Sequence, residues 1–276
     1  MIRYLDYSIS QVRPYINWLY FYHAWGLAGK PAEEKERLHD EAEAMLDLFD
    51  TRYRTHAVAG VFTANSDGDD LLIADMRIPM LRQQHPASAG APNLCLADFV
   101  RPLSSGIKDR VGAFATTVDQ SMEHDFMSDD YKRMLSQTLA DRLAEATAEL
   151  MHLEVRRQYW GYAPDEQLSV RELLREDYQG IRPAVGYPSI PDASVNFLLD
   201  RLIDMKHIGI RLTESGAMKP HASVSGLMFA HPKARYFDIG HIDEEQLRDY
   251  ARRRHTPVEL MRRFLASRIV CRPKQQ

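Results

Sequence analysis

Residues 180–192 read GIRPAVGYPSIPD, an arginine and a tyrosine held among two glycines and three prolines. Pro183, Pro188 and Pro191 fix φ and forbid a helix. Gly180 and Gly186 permit turns and let a ligand come close to the backbone. An arginine on so stiff a loop, Arg182, offers a guanidinium fork suited to a carboxylate or phosphate. Tyr187 could add a ring face or a hydroxyl beside it. The competing reading is a rigid surface connection whose arginine packs on a neighbour, since loops are only enriched in function.

A second candidate is Glu145, with Asp141 and Glu149 at i−4 and i+4 and away from a leucine seam. Such a row of acids reads either as a solvated helix face or as a carboxylate aimed at a ligand's ammonium group. DMKHIG (204–209) approaches the Asp-x-His-x-x-Gly pattern of cobalt-ligating modules, but His207 falls three residues after Asp204 rather than two. His207 fits better at a helix C-terminus, where a partly cationic imidazole suits the dipole. His23, His221, His231 and His241 form no metal-ligand spacing and read as surface or hydrogen-bonded structural residues. The sequence holds no GxSxG, Walker loop or GxGxxG. The arginine-rich stretch 251–268 invites a DNA-binding reading, but a solvated basic face or a protein-docking surface suits a chain of net charge −4 better.

The elements that must position these residues are legible in outline. Residues 32–50 place Leu38, Ala42, Met45 and Phe49 on one helical stripe. Residues 56–75 read as strand, turn and strand, with Asp67-Gly68 at the turn. Residues 83–93 form a loop, and CLADFV and VGAFATTV after it read as two short strands. The longest helix spans 129–160, with Leu139, Leu143, Ala146, Leu150 and Leu153 as its buried seam. Residues 161–192 are mostly irregular, and a helix follows that ends at Gly209. Two strands flank His231-Pro232, and Asp243 with Gln246 and Thr256-Pro257 with Glu259 suggest two capped C-terminal helices. Hairpin strands between grouped helices predict an α+β fold in one domain over 1–276.

With 45% apolar and 27% charged residues, the chain has the composition of an ordinary globular protein. Its charge gives no general pull towards nucleic acid or an anionic membrane, and no apolar run reaches the ~20 residues of a membrane span. Cys95 and Cys271 make neither a metal spacing nor a disulfide framework, which suits a reducing cytoplasm.

These strings together resemble the activation (reactivation) domain of cobalamin-dependent methionine synthase. The resemblance runs along nearly the whole chain, through YINW, AWGLAGK, GVFTANSDGDD, LADRLAEATAE, YWGYAPDEQLS, GIRPAVGYPS, RLTES, ASVSG, HPKARYF and DYARRR. It implies a single C-shaped α+β domain with a twisted antiparallel sheet. It also implies binding of S-adenosylmethionine and presentation of its methyl group to cob(II)alamin, while a flavodoxin or other one-electron donor supplies an electron. By the same resemblance Arg182 binds the methionine carboxylate, Tyr187 and Tyr236 lie against the ligand, and Glu145 faces its amino group. Ala184 and Gly186 belong to the same ligand loop. No catalytic acid, base or metal is implied.

Four positions depart from the family pattern. Asn17 stands where the family carries a ligand-contacting aspartate, a change that loses a charge-assisted hydrogen bond of about 1.5–3 kcal/mol. Val185 replaces a loop proline, and Lys219 and His221 replace a tryptophan and a glycine near the ligand and corrin. The family's homocysteine, folate and cobalamin modules are absent from the 276 residues. The expectation is therefore a component of a split methionine synthase acting on cobalamin carried by a partner subunit. A non-catalytic module that docks on a corrinoid protein is the alternative.

Overall fold

The computed structural model describes residues 1–86 and 88–269. In chain order the strands are β1 Ile2–Ser8, β2 Arg54–Asp67, β3 Asp70–Ile73, β4 Met76–Pro79, β5 Asp109–Val118, β6 Arg211–Leu212, β7 Met218–Lys219 and β8 Ser223–Met228. The helices are α1 Ile9–Val12, α2 Trp18–Ala24, α3 Ala32–Asp50, α4 Asp130–Glu154, α5 Val170–Leu173, α6 Val195–Ile203, α7 Glu244–Arg253 and α8 Val258–Phe264.

The long strand β2 organises the sheet. Gly68, at φ 60°, lets the chain reverse so that Asp67 faces Asp70 and β3 pairs with the end of β2. Along the same edge β1 pairs with the beginning of β2, from Ser8 opposite Arg54 to Ile2 opposite Gly60. The other edge of β2 pairs with β5, and β5 pairs with β8, all antiparallel. The sheet order is β4-β3-β2-β5-β8, curled into a half-barrel, and the fold is α+β.

Period-two alternation sends the sheet's side chains into two cores. Ala57, Ala59 and Phe114 join a core roofed by α3 and α4, while Val58, Ala113 and Ala115 join one covered by α6. Leu38, Ala42, Met45 and Phe49 of α3 are buried as their spacing predicts. Along α4, Leu139, Leu143 and Ala146 are buried, but Leu150 and Leu153 are only partly so. There Met151 and His152 take the inward positions. Ala140, Ala144 and Ala148 keep α4 close to the sheet, close enough for Thr116 Oγ1 to donate to the Ala144 carbonyl at 2.9 Å.

Several local expectations are corrected. CLADFV is not a strand: Leu96–Phe99 is a 3-10 turn, closed by the Asp98 carboxylate accepting from the Cys95 N–H at 2.8 Å. The helix expected to reach Gly209 stops at Ile203, because Asp204 adopts φ 50°, and Met205–Ile208 follow as a 3-10 turn. His207 sits in that turn with its ring 3.9 Å from Tyr4. Of the two strands expected around His231-Pro232, β8 forms before it, and among the described residues no strand follows it. Asp243 caps α7 through Gln246 N as its motif predicts, but α8 begins at Val258 after Pro257 with no side-chain cap. Thr256 instead donates its hydroxyl to the Arg254 carbonyl.

Several arginines of 251–268 are engaged by acids of the same chain: Arg253 pairs with Asp249 and Asp70, and Arg262 with Glu244 at the surface. Cys95 is buried with a free thiol, and Cys271 lies outside the described residues. No helix among the described residues is long and apolar enough to cross a membrane.

Candidate functional site

The GIRPAVGYPSIPD loop is held to the sheet as an extra edge. Ile181 exchanges backbone hydrogen bonds with Phe229 at 2.9 and 3.0 Å, Leu227 N donates to Pro183 O at 3.1 Å, and Val185 N donates to Ser225 O at 2.8 Å. Val185 thus supplies an N–H that a proline at this position would lack. The approach is so close that a Cβ on Gly226 would stand 2.2 Å from the Pro183 carbonyl oxygen, and one on Gly180 2.3 Å from that of Phe229. Alternation along this edge sends Ile181 and Val185 into the α6 core, while Ala184 joins the core under α4. Arg182 points the same way as Ala184, its guanidinium 5.6 Å from the Phe114 ring.

On that side α4 presents Arg142, Glu145 and Glu149 at helical spacing. Arg182 Nη2 forms a short ion pair with Glu149 Oε1, and its backbone N–H donates to the Tyr236 hydroxyl at 2.9 Å. The Tyr187 hydroxyl donates to Glu145 Oε1 at 2.9 Å. Arg182, Tyr187, Glu145, Tyr236, Asn17 and Ala184 all line one cleft of about 710 Å³, a volume suited to a small organic ligand. Tyr15, Tyr20, Glu176 and Asp238 complete much of its wall.

Gly186 does not line the cleft. At φ 89° it turns the chain, and its N–H donates to the Ile190 carbonyl at 2.7 Å. Lys219 and His221 are not among the lining residues either, and the His221 N–H donates to the Glu123 carboxylate instead. Asn17 reaches the cleft as the N-cap of α2, its Oδ1 accepting from Leu19 N at 3.2 Å.

Glu149 was not separable from its acidic neighbours in sequence. The row Asp141, Glu145 and Glu149 reads as a solvated face, yet the Glu149 side chain is only 15% exposed and its Oε2 is buried without a partner. The i+4 spacing to Glu145 was the available signal. Arg156 and His152 were likewise unmarked. A single π-helical turn at Val155–Tyr159 drops the fully buried Arg156 under the cleft. There it donates to both Glu166 oxygens, to His152 Nδ1 at 2.8 Å, and stacks 4.0 Å from the Tyr178 ring. This network pins the segment leading into the 180–192 loop against α4.

Electrostatics keep these groups in defined states. Burial pulls the Arg182 guanidinium's pKa down, but Glu149, Tyr178, Tyr236 and Glu145 together more than offset it, so Arg182 remains a cation. Burial, and then the charge and hydrogen bond of Glu145, push Tyr187 up to about 12, so its hydroxyl stays a donor. Burial and the neighbouring Glu149 raise Glu176 above the usual carboxylate range. Three arginines, Arg142, Arg175 and Arg182, and four carboxylates, Glu145, Glu149, Glu176 and Asp238, line the cleft, an arrangement that offers an opposite charge to either end of a zwitterion.

The arrangement is a cleft walled by charged and aromatic side chains, built between a rigid loop and a long helix. A sequence model of the family described as vitamin B12 dependent methionine synthase, activation domain, matches residues 8–255. A crystal structure of the MetH reactivation domain bound to AdoHcy superposes with a TM-score of 0.92 at 39% identity, covering 99% of this chain and 91% of that one. The chain belongs to the activation-domain family of vitamin B12 dependent methionine synthase.

Proposed function

We propose that the cleft binds S-adenosylmethionine and that the chain donates the ligand's methyl group to cob(II)alamin carried by a separate cobalamin-binding protein. The observation that carries this reading is the convergence of Arg182 and Glu145 on one cleft, in a chain whose structural relative binds AdoHcy. The residues fit the ligand's charges. Arg182 would take the α-carboxylate and Glu145 the ammonium. Tyr187 and Tyr236 would bound the ligand from the loop and from residues 229–239, and the Ala184 backbone would lie along it.

The overall step is balanced by a flavodoxin or similar one-electron donor. One electron and the sulfonium methyl enter the cobalamin, the methyl–sulfur bond breaks with its electron pair on sulfur, and the neutral thioether leaves. The protein needs no acid or base for this, because its part is to hold and orient. In this reading the chain is a component of a split methionine synthase, incomplete by itself.

Calorimetric titration with S-adenosylmethionine, with Arg182→Ala in parallel, tests the binding half. Saturable binding that the substitution weakens supports it. Absence of heat at millimolar ligand overturns it and leaves a docking module without this ligand. The transfer half is tested by adding chain, ligand and reductant to a cobalamin protein. A visible spectrum that stays at cob(II)alamin under all such conditions sinks it.

A further inference from the structure

We propose that Glu149 is a positioning residue that selects which guanidinium nitrogen Arg182 shows to the ligand. The inference rests on the S-adenosylmethionine reading above and concerns a residue that need not touch the ligand. Arg182 Nη2 is tied to Glu149 Oε1, and Arg182 Nε is buried with no partner. Nη1 has no hydrogen-bond partner among the described residues and, unlike Nε, is not buried, so it is the nitrogen left open to the cleft. The backbone of the same residue is held independently by Tyr236 and by its neighbours' pairing to β8. Glu149 is thus the group that fixes the free end of an otherwise long and rotatable side chain.

Glu149 can do this because it sits one helical turn from Glu145 and deeper in the fold. Its side chain is 15% exposed against 7% for Arg182, so neither partner is well screened by water. The two acids of α4 then divide the work: Glu145 faces the ligand and Glu149 faces the arginine. A positioned cation binds a carboxylate without first losing its own rotational freedom, which is the usual gain from preorganisation.

The test compares two ligands on Glu149→Gln: S-adenosylmethionine and its decarboxylated analogue, which keeps the amine and sulfonium. If Glu149 acts through Arg182, the substitution weakens S-adenosylmethionine about tenfold and leaves the analogue within about twofold. Equal losses for both ligands would mean a direct contact to the amine or a general collapse of the site, and the proposal would fall. Tighter binding of S-adenosylmethionine would also overturn it, since Glu149 would then be a competitor for the guanidinium. Should the Gln variant not fold, Glu149→Asp withdraws the carboxylate while keeping its charge, and the same selective loss is required. Wild-type chain that binds neither ligand refutes the functional reading itself, a separate outcome from any change in the ratio.

Discussion

The Tyr187 hydroxyl donates to Glu145 Oε1 across the cleft at 2.9 Å, joining the ligand loop to the long helix α4. The bond leaves the other Glu145 oxygen for a ligand and keeps the tyrosine ring at the cleft wall. Glu145→Gln should therefore weaken S-adenosylmethionine by roughly tenfold, the difference between a charged and a neutral acceptor. Stability should change by no more than about 0.5 kcal/mol, as Glu145 is only half-buried and makes no salt bridge. Calorimetry beside a thermal melt separates the two. A ligand lacking the amino group should not register the substitution.

Asn17→Asp should tighten S-adenosylmethionine by about tenfold or more, through a charge-assisted bond to the ligand. The substitution keeps the N-cap of α2, because asparagine and aspartate cap about equally well. An unchanged affinity would mean that residue 17 lines the cleft without addressing the ligand.

Gly226→Ala tests how the loop is held. The new methyl would meet the Pro183 carbonyl oxygen at 2.2 Å and the Phe114 ring at 2.8 Å, so the loop must lift from β8. A loss of about 1–3 kcal/mol is expected from the overpacking, with weakened ligand binding beside it. Chemical denaturation gives the first and calorimetry the second. A variant that is destabilised yet binds normally would show that Arg182 is positioned without the β8 pairing.

A pH dependence follows from His152. Burial, and then the charges of Arg156 and Arg182, hold its imidazole well below its ordinary pKa, so the folded chain keeps it neutral. Below about pH 6.5 the unfolded chain takes up a proton there that the folded chain refuses. Stability from this residue is thus full above that pH and falls as pH drops, by up to about 1.4 kcal/mol per pH unit. Urea unfolding at pH 7, 6 and 5 should show a flatter acid limb for His152→Gln, which retains an acceptor for Arg156. Equal slopes would contradict the assignment.

The parts legible in the sequence share one property: their period matches their burial. The α3 stripe from Leu38 to Phe49 and the hairpin about Gly68 are of this kind. CLADFV was ambiguous because a short apolar run looks the same in a strand and in a tight turn, and what decided it was Asp98 closing on the Cys95 N–H. Arg182 and Tyr187 stood out through their stiff loop and Glu145 through its row of acids, and the family resemblance added Tyr236 and Asn17. Glu149 stayed hidden because an acid beside two other acids on a helix looks solvated until its partner is known. That partner lies on a loop joined to β8, a long-range pairing that no local pattern encodes.

The far end of that loop is gripped from elsewhere. Asp192 is buried and accepts from the Tyr250 hydroxyl at 2.9 Å, while Arg254 donates to Ser194 Oγ at 2.9 Å and Arg253 reaches Asp70 and the Met80 carbonyl. One short helix, α7, therefore braces both the loop and the β3–β4 hairpin. During synthesis on the ribosome every strand of the sheet emerges before α7 does. Until Tyr250 has left the exit tunnel the loop lacks this brace, and Asp192 keeps its local partner, the Ser194 N–H, which donates to Oδ1 at 2.8 Å. Bracing of the loop is in this sense a late event in the life of the chain, completed when its C-terminal region docks.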